Sequence, residues 1–182
     1  MFNNNNPIHV EIGCGKGKFL REIAINNPDI NYFGFEKDVK VAYRCAKNIT
    51  EDDPPNYFIV YANAESLKEI FEEGSIERIY LNFSDPWPKA SHHKRRLTHK
   101  KFLDIYKAVL TDNGEIHMKT DNNDLFEFSI EQLEEDNWEL LMVTRDLHNS
   151  IYKEGNIMTL YEEKFVKEGK KINKLVAKRK NG

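Results

Sequence analysis

The sequence predicts an α/β fold built on a mostly parallel sheet with helices on both faces. Three observations lead there. Five short runs rich in β-branched and aromatic residues alternate with five segments of helical spacing, the pattern of successive β-α units. A turn with glycines at 13, 15 and 17 joins the first run to the first helical segment. Acidic or amide side chains also recur near the ends of successive runs, at Glu11, Glu36, Asn63 and Asp85, and open sheets of this kind bind ligands outside those ends.

IHVEI (8–12) is an apolar run bounded by proline and glycine and reads as the first strand. The helix over 18–26 places Phe19, Leu20, Ile23 and Ala24 on one face and stops at Asn27-Pro28, because proline disfavours helical geometry at the residue before it. INYFGFE (30–36) is the second strand, and a helix over 39–48 is broken by the acidic, proline-bearing EDDPP. YFIVYA (57–62) is the third strand, followed by a short helix over 65–72 that Gly74 ends. IERIYLNF (76–83) is the fourth strand. A helix over 98–110 then aligns Phe102, Ile105, Tyr106, Val109 and Leu110 in one stripe. GEIHMKT (114–120) is the fifth strand and 124–133 the fifth helix. Two further strand-like runs, WELLMVT (138–144) and NIMTLYEEKFV (156–166), show no clear helix between them. They predict an antiparallel hairpin closing the sheet edge, joined by a long connection over 145–155.

A chain of 182 residues fits one domain with a single core, and no shift in composition marks a second, so 1–182 is expected to be one domain. With 40% hydrophobic and 31% charged residues it reads as an ordinary soluble globular protein. No apolar run approaches the roughly 20 residues of a membrane helix, and MFNNNNP lacks the regions of a signal peptide. A cytoplasmic location without membrane attachment is the expectation. Cys14 and Cys45 form no disulfide framework and no metal-ligand spacing; both are expected to be reduced and structural, and no metal is expected.

The net charge of −3 hides a partition. Residues 89–101 hold six Lys or Arg and three His without an acid, 164–180 hold eight Lys or Arg against one acid, and 127–139 hold six acids without Lys or Arg. Such a surface can attract a polyanion locally while the molecule is slightly acidic.

In VEIGCGKGKFL the spacing is G-x-G-x-G, with Glu11 two residues ahead of Gly13. A dinucleotide fingerprint reads GxGxxG and presents bare amides to a pyrophosphate. A carboxylate just ahead of the turn suits instead the cationic amino group of a zwitterionic cofactor. Glu36, 19 residues beyond Gly17, stands where an acid can accept both hydroxyls of a ribose, and Asn63 where an amide can pair with an adenine edge. The set Glu11, Gly13, Gly15, Glu36 and Asn63 fits S-adenosylmethionine better than NAD.

Asp85 ends the fourth strand in LNFSDPWPK and faces the same crevice. Each proline fixes its own φ and restrains the residue before it, so Asp85 and Trp87 are held in a stiff, non-helical segment. Trp87 is either a stacking platform or a core plug. The basic tract that follows can track phosphates beside the pocket, and His92, His93 and His99 form no convincing metal-ligand set.

The segments EIGCGKGKFL, GFEKD, NFSDPWPK…HHKRR, HMKTDN and MTLYEEKF, in this order and over nearly the whole chain, resemble the bacterial tRNA (guanine-N7-)-methyltransferase family. The resemblance implies a Rossmann-like class I methyltransferase fold, S-adenosylmethionine as methyl donor, tRNA as partner, and methylation of guanine 46 in the variable loop. It implies cofactor contacts at Glu11, Glu36, Asn63 and Asp85, with Asp85 also the catalytic acid. Lys89, Asp121, Thr159 and Glu162 match substrate-binding positions, and Ser91, His92, His93, Lys94, Arg95 and Arg96 match a stretch that touches RNA. Asp121 and Glu162 would accept the N1 and N2 protons of guanine. A monomer or a homodimer fits equally.

Three departures bear on these expectations. The family usually has aspartate where this chain has Asn63, and a basic pair where it has Ala90-Ser91. Members usually carry some tens of residues ahead of the glycine-rich strand, including a basic arm, and this chain is expected to lack that arm. A non-catalytic RNA-binding domain on the same fold, or a methyltransferase with another substrate, are the alternative readings.

Overall fold

The computed structural model describes residues 2–180. Among them, seven strands form one sheet: β1 Ile8–Ile12, β2 Asn31–Glu36, β3 Tyr57–Tyr61, β4 Ile76–Asn82, β5 Leu110–Thr120, β6 Glu139–Thr144 and β7 Asn173–Lys178. Their spatial order is β3-β2-β1-β4-β5-β7-β6. The first five strands run parallel to one another, and β7 runs antiparallel to both β5 and β6. The helices are α1 Lys18–Asn26, α2 Val39–Lys47, α3 Leu67–Ile70, α4 Lys100–Val109, α5 Asn123–Glu135 and α6 Leu160–Lys167.

Alternation along the strands sorts the side chains between two faces. Val10, Ile12, Phe33, Phe35, Ile79, Leu81, Ile116, Met118 and Leu175 point to one, where Leu67 of α3, Phe102 and Tyr106 of α4, and Leu125 and Phe126 of α5 complete the main core. On the other face, α1 lays Phe19, Leu20 and Ile23 against Tyr32, Tyr57 and Tyr80. Strand order reverses between β1 and β4, and the crevice at that switch point is where open α/β sheets hold ligands.

The mostly parallel sheet and its antiparallel closure match the expectation, but the closing strand lies elsewhere. NIMTLYEEKFV is not a strand. Thr159 and Glu162 form a capping box, with Glu162 N–H donating to Thr159 Oγ1 at 3.0 Å, and α6 follows. Thr-x-x-Glu satisfies the free amides at a helix start, which outweighs the β-like composition of Ile157, Met158 and Tyr161. The closing strand is NKLVAK, whose Leu175, Val176 and Ala177 are buried.

Candidate active site

The glycine turn is pinned from beneath. Gly13 and Cys14 N–H groups both donate to the Phe35 carbonyl, at 2.7 and 3.0 Å. Gly13 and Gly15 have φ of +79° and +55°, and a Cβ added to either would meet nothing within 4 Å. Their conformation calls for glycine, and the space above them is open to a ligand. Gly17 shares the left-handed conformation, with φ of +76°, and a Cβ there would also come within 2.6 Å of Cys45 Sγ.

Glu36 accepts from Gly15 N–H at 3.0 Å and from Asp38 N–H at 2.9 Å, one bond on each oxygen. A carboxylate has about four lone-pair sites, so each oxygen retains capacity for a ribose hydroxyl. Glu11 is buried, and its Oε1 accepts from Asn82 Nδ2 at 3.0 Å, while its Oε2 has no hydrogen-bond partner among the described residues. Burial raises the Glu11 carboxyl to about 7, against the opposing pull of the Asn82 bond and of Lys119. An orphaned carboxylate oxygen beside an open glycine turn is what an ammonium group would satisfy, so these residues fit an amino-acid-bearing nucleoside cofactor. Asn63 is exposed and caps the 3₁₀ turn after β3 by accepting from Glu65 N–H at 2.9 Å.

The loop after β4 is the most constrained backbone of the site. Phe83 and Trp87 have φ of +52° and +43°, a left-handed conformation that costs a non-glycine residue roughly 1–2 kcal/mol. The Ser84 hydroxyl oxygen is buried without a partner among the described residues. Asp85 is exposed and pairs with Lys37 at 3.2 Å, which bridges the end of β2 to this loop. Arg95 lies over the Trp87 ring at 4.8 Å, and His92 meets the same ring edge-on. Trp87 is therefore half-buried beneath a cationic cover.

Residues 5–175 match the family described as "Putative methyltransferase". The tRNA (guanine-N(7)-)-methyltransferase of Alkaliphilus oremlandii is 54% identical over 97% of this chain and 83% of the relative. That of Lachnoclostridium phytofermentans is 51% identical over the same shares. The chain belongs to the tRNA (guanine-N(7)-)-methyltransferase family. Solved structures of an antibiotic-related methyltransferase (TM-score 0.66, 18% identity, 97% of this chain and 88% of that one) and of the 16S rRNA methyltransferase KamB (TM-score 0.70, 13% identity, 97% and 89%) share the fold.

In this member of the tRNA (guanine-N(7)-)-methyltransferase family, the basic tract forms a 3₁₀ turn over Ala90–Arg95. Lys89, Ser91, Lys94 and Arg95 are exposed, and His92 and His93 are partly so. Arg96, expected to touch RNA, is the buried member of the Ser91–Arg96 stretch. It is only 3% exposed; its Nε donates to the Pro86 carbonyl at 2.8 Å and its Nη2 to the Trp87 carbonyl at 3.4 Å. It stacks over Phe128 at 4.6 Å, so this guanidinium positions the loop.

Asp121, at the end of β5, pairs with Lys170 at 2.9 Å. Thr159 and Glu162, expected on the substrate, are both buried. Glu162 is fully buried and accepts from Lys119 Nζ at 2.5 Å and Asn156 Nδ2 at 2.7 Å, lies 2.9 Å from His148 Nε2, and accepts from Thr159 N–H at 3.4 Å. Those four contacts fill a carboxylate's capacity, so Glu162 clamps the 147–157 connection to β5. Sequence reasoning missed Lys119 and His148 as its partners, which lie in other segments, and Asn82 as the orienter of Glu11. Among the described residues, no group of three or more His, Cys, Asp or Glu could hold a metal, and no helix is long and apolar enough to cross a membrane.

Proposed function

We propose that this chain transfers a methyl group from S-adenosylmethionine to N7 of a guanine in tRNA, and that the base is guanine 46 of the variable loop. The observation that carries the reading is the buried, half-satisfied Glu11 carboxylate beside the open Gly13–Gly15 turn. Relatives 54% and 51% identical over 97% of the chain, named for guanine-N7 methylation of tRNA, support the substrate.

The roles of the residues follow from chemistry. S-adenosylmethionine supplies an electrophilic methyl group on a sulfonium. Guanine N7 has an in-plane lone pair and no proton, so no base is needed and the protein acts chiefly by positioning and excluding water. Glu11 holds the amino group, Glu36 the ribose and Asn63 the adenine edge. Asp85 stands at the reacting end, where an anion stabilises the positive charge that moves onto the purine. Lys89 and Asp121 contact the base or its nucleotide, and Ser91 to Arg95 contact the flanking phosphates. Thr159 and Glu162 shape the wall of the base pocket through α6. The partner is tRNA, and the location is the cytoplasm.

The test is incubation with labelled S-adenosylmethionine and unmodified tRNA, followed by mapping of N7-methylguanosine. Label at position 46, absent from tRNA with adenosine there, is the expected result. Label at another guanine would overturn the position, and no transfer to tRNA would overturn the activity.

A further inference from the structure

Between α1, the strands β1, β4, β5 and β7, and the 155–157 connection lies a cavity of about 270 Å³. Its chemistry is unlike that of the cofactor crevice. Three cations line it: Arg78 from β4, Lys119 from β5 and Lys174 from β7. Glu115 pairs with Arg78 at 3.0 Å and with His117 at 2.7 Å, and Glu162 takes Lys119 at 2.5 Å. Both carboxylates paired with these cations are thereby engaged, Glu11 acts on Lys119 from the adjoining site, and Lys174 has no hydrogen-bonded or ion-paired partner among the described residues.

The register makes this arrangement unfavourable as it stands. Lys174 is paired directly opposite Lys119 across the antiparallel β5–β7 ladder, and like charges in that relation destabilise a sheet. Burial, then the neighbouring Lys119 and Arg78, hold the Lys174 ammonium below its ordinary range. Arg78 Nε is buried with no acceptor among the described residues. His9 and His117, held by burial at about 3 and about 4, are neutral; the one ring N–H of His117 is taken by Glu115 at 2.7 Å, and only His9 can offer a ring N–H without adding charge. Phe19 and Ile157 close the cavity with apolar surface. Arg78 and Lys119 each have a carboxylate partner, and Lys174 is left without one.

We propose that this cavity is an oxyanion site, holding a phosphate or carboxylate group between Lys174 Nζ and the Arg78 guanidinium. Such a group supplies the negative charge that separates the two opposed lysines and the acceptor that Arg78 Nε lacks. A metal cation would meet the wrong charge, and a neutral ligand would leave the repulsion in place.

Thermal unfolding of the full chain tests this, in chloride alone and with inorganic phosphate in one arm and succinate in the other, at constant ionic strength. A saturable rise in Tm is expected, roughly 5–10 °C at a hundredfold excess over Kd. Phosphate acting alone assigns a phosphate ligand, and succinate acting alone a carboxylate. The Lys174→Met variant should unfold at the same or a higher temperature than wild type in chloride, because a repulsion is gone, and should lose the anion-dependent rise. Lys174→Gln should behave the same way. A rise that persists in both variants, no rise with either anion in wild type, or a lower Tm of both variants in chloride would each overturn the proposal.

Discussion

The Glu11 carboxyl should make cofactor binding depend on pH in a way that can be calculated. Folded, it titrates near 7; its ordinary value is 4.5. Because the folded state holds this proton more tightly than the unfolded chain, its contribution to stability is whole below about 4.5 and is lost as pH rises through about 7. At about 1.4 kcal/mol per pH unit, the loss is on the order of 3 kcal/mol in the free protein. An ammonium placed against Oε2 pairs only with the ionised form, which is about half the population at pH 7 and about 3% at pH 5.5. The cofactor's own amino group, with an ordinary pKa of about 7.7–8.0, stays protonated throughout that window. S-adenosylmethionine should therefore bind roughly 16-fold more weakly at pH 5.5 than at pH 7, with close to one proton released per molecule bound at pH 5.5. Calorimetry in buffers of different ionisation enthalpy reads both quantities. Glu11→Gln should weaken binding at pH 7 and flatten the profile. A Kd that is constant between pH 5.5 and 7, or a slope that survives in Glu11→Gln, would refute the placement of the ammonium.

Asp85→Ala should leave unfolding within about 0.5 kcal/mol of wild type, because the side chain is 63% exposed and its only ion-pair partner among the described residues, Lys37, is 65% exposed. Turnover at saturating tRNA should collapse; an unimpaired kcat would remove Asp85 from the reaction. The Lys94→Ala/Arg95→Ala variant should weaken tRNA binding and flatten its salt dependence by about 0.7–0.9 in log-log slope for each phosphate left without its cation. Arg96→Ala should instead destabilise the fold by about 2 kcal/mol and reduce kcat, since it frees the Pro86 and Trp87 carbonyls; a salt slope that changes as in the double variant would return Arg96 to the RNA face. Glu162→Gln leaves Lys119 buried without its counter-charge and should cost about 3–5 kcal/mol in urea unfolding. Stability equal to wild type would mean that Glu162 is not the clamp.

The first 135 residues were legible because their information is local. Each strand and helix there carries its own apolar period and ends at a glycine, a proline or a cap, so β1 to β5 fall within a residue or two of their runs, save that β5 begins four residues earlier, at Leu110. The placement of Glu11, Glu36 and Asp85 at or just beyond strand ends was legible for the same reason, and topology brings strand ends together. The C-terminal part was misread where two signals compete. Met158 to Tyr161 has strand-like composition, but Thr159-x-x-Glu162 caps a helix. NKLVAK was hidden in a lysine-rich run that reads as solvated surface, although Leu175 and Ala177 are fully buried. Arg96 was obscured by the same assumption about charge runs, since nothing local distinguishes a guanidinium that reaches backbone carbonyls nine and ten residues back.

The position of β7 between β5 and β6 has a consequence for synthesis. Ribosomes deliver the chain from its N-terminus at roughly 5–20 residues per second, so β6 emerges before the strand that joins it to the sheet. Its ladder is with β7, and β5 likewise keeps an unpaired edge until 173–178 arrive. For a few seconds the nascent chain displays two bare strand edges, a template for pairing with other chains. Residues 173–178 retire both edges at once. A stop codon a few positions before 173 would remove one short strand from the sequence and detach two from the sheet.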